Sequence, residues 1–194
     1  MKKFNPFFDN KLKPTMEWIV PDSDPRIRKV CEQVKFPLSN DDIEYIKKMV
    51  AYVDASFYEN YDQFNITPGV AIAANQIGLL KRIIYFHYLD DYGIEKHWLI
   101  ANPQVINKSE DITYLEHGEG CLSVPESRQG IVPRKAWIKF KAFDIINEKN
   151  ITLELEGYPA IVAQHELDHL DGILYYDHIN VLDPNYTNSK WKKI

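Results

Sequence analysis

A chain of 194 residues, 45% apolar and 26% charged, is long enough for one domain with a proper apolar core and is ordinary in composition for a globular protein. A formal net charge of −5 argues against a general nucleic-acid binder, and no stretch approaches the roughly 18 apolar residues of a membrane-spanning helix. Two distant cysteines make no disulfide framework, so we expect a cytoplasmic chain in a reducing compartment, folded as a single domain over 1–194 with peripheral extensions at 1–15 and 182–194.

The N-terminal MKKFNPFFDNKLKP carries lysines but no apolar run of signal-peptide length. Pro6 and Pro14 suit a segment that wraps the surface before Met16-Glu17-Trp18-Ile19-Val20, and Pro21-Asp22-Ser23-Asp24-Pro25 reads as a turn. Cys31, beside Val30, is most simply a buried thiol. Ser39 or Asn40 caps a helix predicted from Asn40 to Ser56, with Asp41 and Asp42 in its first turn and Ile43, Ile46, Val50 and Val53 as its buried stripe. Gly69 to Gln76, GVAIAANQ, is a run of small residues suited to a tight strand or turn. Lys81 to Tyr88 is rich in strand formers and ends at the turn Asp90-Asp91-Tyr92-Gly93. Trp98 to Ala101 and Ile112 to Leu115 are further short strands. Alternation then marks Ala136 to Ile146 and Ile151 to Leu155 as a hairpin around Asn147-Glu148-Lys149-Asn150.

The hairpin leads into a helix that starts near Pro159 and stops at Gly172, where a left-handed residue is wanted. The basic tail Lys190-Trp191-Lys192-Lys193 is expected to be solvated and frayed. This order of elements predicts an α+β fold, with antiparallel strands packed around one central helix.

That helix carries Gln164-His165-Glu166-Leu167-Asp168-His169. Two histidines four apart project from one helix face, where both can grip a single divalent ion. Glu166 cannot easily reach the same coordination position but can stand beside an activated water and take its proton, as H-E-x-x-H does in metal hydrolases. So short a pattern also arises by accident, so a third ligand decides. Downstream, Gly172 matches one known extension, but Tyr175 stands where that extension needs a histidine. No glutamate follows Glu166, and neither Asp177 nor His178 has a recommended spacing. Upstream, Cys121 in Glu119-Gly120-Cys121-Leu122-Ser123-Val124-Pro125 is the better candidate. A thiolate with two imidazoles leaves the fourth tetrahedral position open for water. The alternative for a single cysteine is a small buried residue. His87, His97, His117 and His178 read as surface or satisfied strand histidines, outside the site.

EGCLSVP and QHELDHLDG, with GVAIAANQ earlier, resemble the three motifs of the peptide deformylases, in the family's order. The similarity runs from about Asp24 to about Asn180 and includes Val132-Pro133-Arg134. The segments between Lys35 and Pro68 and between Leu89 and Leu115 resemble the longer form found in low-G+C Gram-positive bacteria and their mollicute relatives. The resemblance implies removal of the formyl group from N-formylmethionyl nascent peptides, hence a transient ribosome contact and no membrane or sequence-specific nucleic-acid partner. It implies one divalent metal ion on Cys121, His165 and His169: Fe(II) in the cell, with Zn, Ni or Co in a purified sample. Glu166 is then the base, and the Gln76 amide and Leu122 backbone N–H stabilise the oxyanion. Tyr158, Ile161 and Val162 are expected to line the methionine pocket, and Gly69, Val70 and Ala71 to border the peptide, Val70 and Ala71 through backbone bonds. Arg128 matches a family position near the peptide. The family commonly has glycine where Ala71 stands, so a methyl intrudes at a place of close backbone approach. A metallopeptidase cutting internal bonds is disfavoured by the failed downstream ligands, and a metal-stapled binding module by Glu166 and Gln76, which a structural site does not require.

Overall fold

In the computed structural model, which describes residues 5–90 and 92–194, the chain order is α1 (Asn40–Phe57), α2 (Tyr61–Phe64), β1 (Ala71–Ala73), β2 (Ile83–Leu89), β3 (Glu95–Lys108), β4 (Ile112–Tyr114), β5 (Arg134–Lys135), β6 (Trp137–Asp144), β7 (Lys149–Glu156), α3 (Tyr158–Leu170) and β8 (Lys192–Lys193), with short 3-10 turns between them. Five strands pair antiparallel in the order β1-β2-β3-β6-β7. In a second, smaller sheet β4 lies antiparallel to β5 and parallel to β8.

The layering follows from β2. Successive side chains on a strand point to opposite faces. Ile83 and Tyr85 pack with Ile46, Met49, Val50 and Val53 of α1. Ile84, Phe86 and Tyr88 pack with Ala160, Ala163 and Leu167 of α3. The two helices therefore cover opposite faces of the larger sheet, which is why this strand reads as apolar almost throughout. The α+β architecture matches expectation, with α3 as the helix that carries the histidines.

Of the two expected caps for α1, Ser39 is the one used. Its hydroxyl accepts the Asp42 N–H at 3.1 Å while the Asp42 carboxylate accepts the Ser39 N–H at 3.0 Å. Asp42 is buried and also receives the Lys81 ammonium at 2.6 and 2.7 Å, so the same carboxylate ties the helix start to the approach to β2.

Two stretches differ from the sequence expectation. β3 continues well past Ala101, because Asn102 in the left-handed region (φ 53°) opens a register shift against β6 that accommodates Pro103. Its far half, Gln104 to Lys108, is exposed and so has no apolar period to announce it. The basic tail, expected to fray, pairs with β4: Thr113 Oγ1 donates to the Lys192 carbonyl at 2.7 Å, and the Trp191 and Tyr114 rings lie 6.4 Å apart. Cys31 is buried as expected, and burial pushes its thiol up to about 11. Among the described residues no helix is long and apolar enough to cross a membrane.

Candidate active site

α3 is held between two glycines with positive φ. Gly157 (φ 65°) passes the chain from β7 into the helix, with Pro159 in the first turn, where no helical N–H is lost. Gly172 (φ 73°) ends it so close to the Arg28 carbonyl that any Cβ would collide. Gln164 adds a lateral tie: its amide donates to the Lys135 carbonyl at 2.9 Å and accepts the Lys135 N–H at 2.8 Å, completing a ladder with β5. The helix is thus anchored at both ends and on one side, as precise placement of its histidines requires.

Cys121, in the loop between β4 and β5, meets His165 and His169 there. Their donor atoms all lie within 4.8 Å of one another, with Cys121 Sγ 3.2 Å from His169 Nε2. Bonds of about 2.0–2.3 Å to a tetrahedral ion place neighbouring ligand atoms about 3.5 Å apart. The three side chains therefore suit one divalent ion, and their sulfur and nitrogen donors suit a transition metal. Buried Glu166 Oε2 has no hydrogen-bond partner among the protein groups, leaving an acceptor that a water in the site would satisfy.

Glu119, two residues before Cys121, sets the orientation of His165. Its Oε2 lies 2.8 Å from His165 Nδ1, and Arg134 grips the same carboxylate through Nε at 2.7 Å and Nη2 at 2.9 Å. A proton held on Nδ1 leaves Nε2 as the ligand nitrogen. Arg134 also pairs with Asp168, whose Oδ2 lies 2.7 Å from His178 Nε2. His178 lies apart from the three converging donors and closes the outer end of this network. His117 is exposed and stays outside. Glu119 and Arg134 stand within the sequence motifs, but nothing local to either assigns it a role. A carboxylate two residues from a ligand cysteine was the available signal.

The electrostatics separate the two glutamates. Burial alone would raise Glu119, but the bonds from Arg134 and His165 outweigh it and hold the carboxyl down to about 2. Burial pushes Glu166 up to about 7, against the attraction of His165, so its carboxylate can exchange a proton near neutrality. Burial, reinforced by His165 and Arg134, holds His169 well below the ordinary histidine range, in the neutral form a ligand needs.

The GVAIAANQ motif closes over this cluster. Gln76 Oε1 accepts the Ala73 N–H at 2.8 Å, which fixes the amide with Nε2 facing Cys121 Sγ at 3.7 Å and Ser123 Oγ at 3.4 Å. Asn75 Nδ2 donates to the His169 carbonyl at 2.6 Å and to the Ile27 carbonyl at 3.2 Å, tying the motif to α3. A cleft of about 660 Å³ opens beside it, lined by Gly69, Val70, Ala71, Gln76, Cys121, Leu122, Tyr158, Ile161, Val162, His165 and Glu166. His169 sits behind this lining, buried. Ser56, Phe57, Tyr88 and Leu89 are among its further lining residues, which no local motif marked.

Two of the residues expected beside the peptide have other partners in the structure. The Arg128 side chain lies outside the cleft, exposed, over the Tyr176 ring at 5.4 Å and 3.8 Å from Asp22. Val70 has its carbonyl taken by the His87 N–H at 2.8 Å, inside the sheet. Neighbouring residues on a strand turn their backbone groups to opposite sides. Ala71 is therefore the residue whose N–H and C=O face the open edge of β1.

Residues 16–185 match the family model described as polypeptide deformylase. The chain belongs to that family. The peptide deformylase of Ureaplasma parvum serovar 3 is 44% identical over 193 residues, which cover 99% of this chain and 97% of that one. This agrees with the likeness to the longer, mollicute-type enzymes. Among solved structures, a probable peptide deformylase from Synechococcus phage S-SSM7 superposes with a TM-score of 0.66 at 32% identity, covering 82% of this chain and 97% of that one. A class I type b peptide deformylase from Acinetobacter baumannii, solved with Met-Ala-Ser bound, gives 0.64 at 26% identity, covering 83% of this chain and 96% of that one. The deformylase described here removes the N-formyl group from nascent peptides, and its family is metal-dependent. Cys121, His165 and His169 are its candidate metal ligands.

Proposed function

We propose that Cys121, His165 and His169 hold the catalytic divalent ion and that Glu166 is the proton carrier of the reaction. The observation that carries this is the buried, unpartnered Oε2 of Glu166, in the cleft wall beside the three converging donors. When bound, the ion supplies Lewis acidity that brings the pKa of a water towards neutrality. Glu166 takes the proton from the attacking water and returns it to the departing amine as the formyl C–N bond breaks, releasing formate and a free N-terminus. The Gln76 Nε2–H, oriented by its bond to Ala73, and the Leu122 backbone N–H donate to the charge that develops on the formyl oxygen.

Substrate is held by elements already in place. An extended peptide pairs with the open edge of β1 through the N–H and C=O of Ala71. Its methionine side chain enters the apolar wall of Tyr158, Ile161 and Val162, with Gly69 and Val70 on the opposite side. The Met-Ala-Ser bound to the Acinetobacter relative is a peptide of the kind this cleft accepts. The small side chains of GVAIAANQ bring backbone close to the reacting centre, leaving room for a formyl hydrogen and little more. Fe(II) is the ion we assign in the cell, with Zn, Ni or Co able to take the same thiolate and imidazole donors in a purified sample. Action on new chains places the enzyme in the cytoplasm, in transient contact with the ribosome.

The test is Glu166→Ala, assayed on formylated and unformylated methionyl peptides side by side, with bound metal measured in the same samples. Deformylation should fall on the order of a thousandfold with metal content retained, the scale of a lost general acid–base group. Full activity in that variant would overturn the assignment, and cleavage of the unformylated peptide's internal bonds by the wild-type enzyme would favour the metallopeptidase reading.

A further inference from the structure

On the α1 face of the larger sheet, opposite the face covered by α3, lies a second group of metal-type donors. His87 and His97 stand directly across from each other on β2 and β3, and Glu95 lies two residues before His97, so all three share one face. Their donor atoms lie within 4.8 Å of one another. His87 Nε2 is 3.1 Å from Glu95 Oε1, and His97 Nδ1 is 3.9 Å from the same oxygen. His87 is buried and fixed from behind. Its Nδ1 meets Oδ1 of buried Asp54 at 2.6 Å, the Tyr85 hydroxyl donates to that oxygen at 2.6 Å, and the Phe57 ring stacks on the imidazole at 3.7 Å. A proton on Nδ1, held by Asp54, turns the lone pair of Nε2 towards Glu95 and His97. Carboxylates that orient metal-binding histidines sit in this relation to them. Tyr58 hydrogen-bonds Glu95 from the end of α1.

We propose that His87, His97 and Glu95 bind a second divalent cation of zinc type, with Asp54 as the positioning residue behind His87. Zinc bonds of about 2.0–2.2 Å separate tetrahedral ligand atoms by about 3.4 Å. The observed 3.1 and 3.9 Å bracket that spacing and the remaining pair lies within 4.8 Å, so side-chain adjustment can bring the three donors to one ion. Two imidazoles and a carboxylate form a harder set than the Cys121 site, suited to zinc, nickel or cobalt. The ion clips β2 to β3 across the hairpin. It also steadies the cleft wall: Phe57, stacked on His87, lines the cleft, and its neighbour Ser56 accepts the Gly69 N–H at 2.7 Å.

A doubly protonated His87 bridging Asp54 and Glu95 would need no cation, and stoichiometry separates the two arrangements. Purified enzyme with its Cys121 site loaded is dialysed against micromolar zinc and total bound metal per chain is measured. The wild type should hold two ions, whereas His97→Gln and Glu95→Gln should hold one. Both variants should deformylate a formylmethionyl peptide at the wild-type rate before zinc is added, which also verifies their fold. The second equivalent should raise the Tm of the wild type and leave the variants unmoved. Saturation of the wild type at one ion, a second ion bound only at millimolar zinc, or a second ion kept by both variants would overturn the proposal, whatever reaction the Cys121 site performs.

Discussion

Replacing Glu119 by glutamine changes charge and acceptor count while keeping the shape of the side chain. The native carboxylate serves three donors: Arg134 Nε at 2.7 Å on one oxygen, and Arg134 Nη2 at 2.9 Å with His165 Nδ1 at 2.8 Å on the other. Glutamine has one oxygen. If its NH2 replaces Oε1 it confronts the Arg134 Nε–H; if it replaces Oε2 it confronts two donors. A hydrogen bond to a charged group is worth about 1.5–3 kcal/mol, and breaking a buried ion pair costs about 3–5 kcal/mol. Arg134 keeps Asp168 as a partner, which favours the lower end. Glu119→Gln should therefore lose about 3 kcal/mol, or about 6–12 °C in Tm for a chain of this size. Metal affinity should fall about 10–100-fold, because the group that orients a ligand histidine is damaged. Thermal unfolding and chelator competition measure the two separately. A variant that loses stability yet binds metal with wild-type affinity would show that Glu119 supports the fold and does not orient His165.

Gln76→Ala should lower kcat about a hundredfold with little change in KM, since it removes a donor used in the transition state. It should also cost about 1 kcal/mol, because the Ala73 N–H loses its 2.8 Å bond to Gln76 Oε1; an unchanged kcat refutes the oxyanion role. Ala71→Gly removes a methyl that packs on the α3 face of the sheet, beside the backbone groups at the open edge; catalytic efficiency on a formylmethionyl peptide should rise, and an unchanged value would show the methyl is neutral. Asp42 gives a pH prediction. Burial would raise its carboxyl, but the bonds from Lys81 and Ser39 outweigh that and hold it below the usual range. A folded-state pKa below the unfolded one stabilises fully above the unfolded value of about 3.9 and is lost as pH falls through the folded value. Asp42→Asn should therefore cost about 1–2 kcal/mol at pH 7 in urea unfolding, a gap that closes towards pH 3. An equal gap at both pH values would remove Asp42 ionisation from the account.

The metal helix was legible because its information is local. His165 and His169 share a face by helical spacing alone, and Gly157, Pro159 and Gly172 mark its ends by backbone rules that need no partner. The cap at Ser39 and the hairpin of β6 and β7 were legible for the same reason. Cys121 is the candidate left once the downstream residues fail, the family resemblance points to the same residue, and the geometry brings the three donors within 4.8 Å. Arg128 sits near the cysteine motif in sequence yet packs on Tyr176, because a charged side chain on a loop goes where a ring and a carboxylate receive it.

What depended on pairing between distant segments was decided only in three dimensions. The exposed half of β3 and the tail strand β8 carry no apolar period, so their hydrogen bonds depend on which strand lies beside them. Val70 loses its carbonyl to His87 and Ala71 keeps its own because of strand register, which no single segment encodes. The register of β2 against β3 sets His87 opposite His97, and the packing of α1 on that face places Asp54 behind His87, turning three histidine and carboxylate positions that looked incidental into a cluster. Spacing within one element determined the chemistry of the site; the alignment of β1, β2 and β3 determined what surrounds it, because a sheet joins residues that the chain keeps apart.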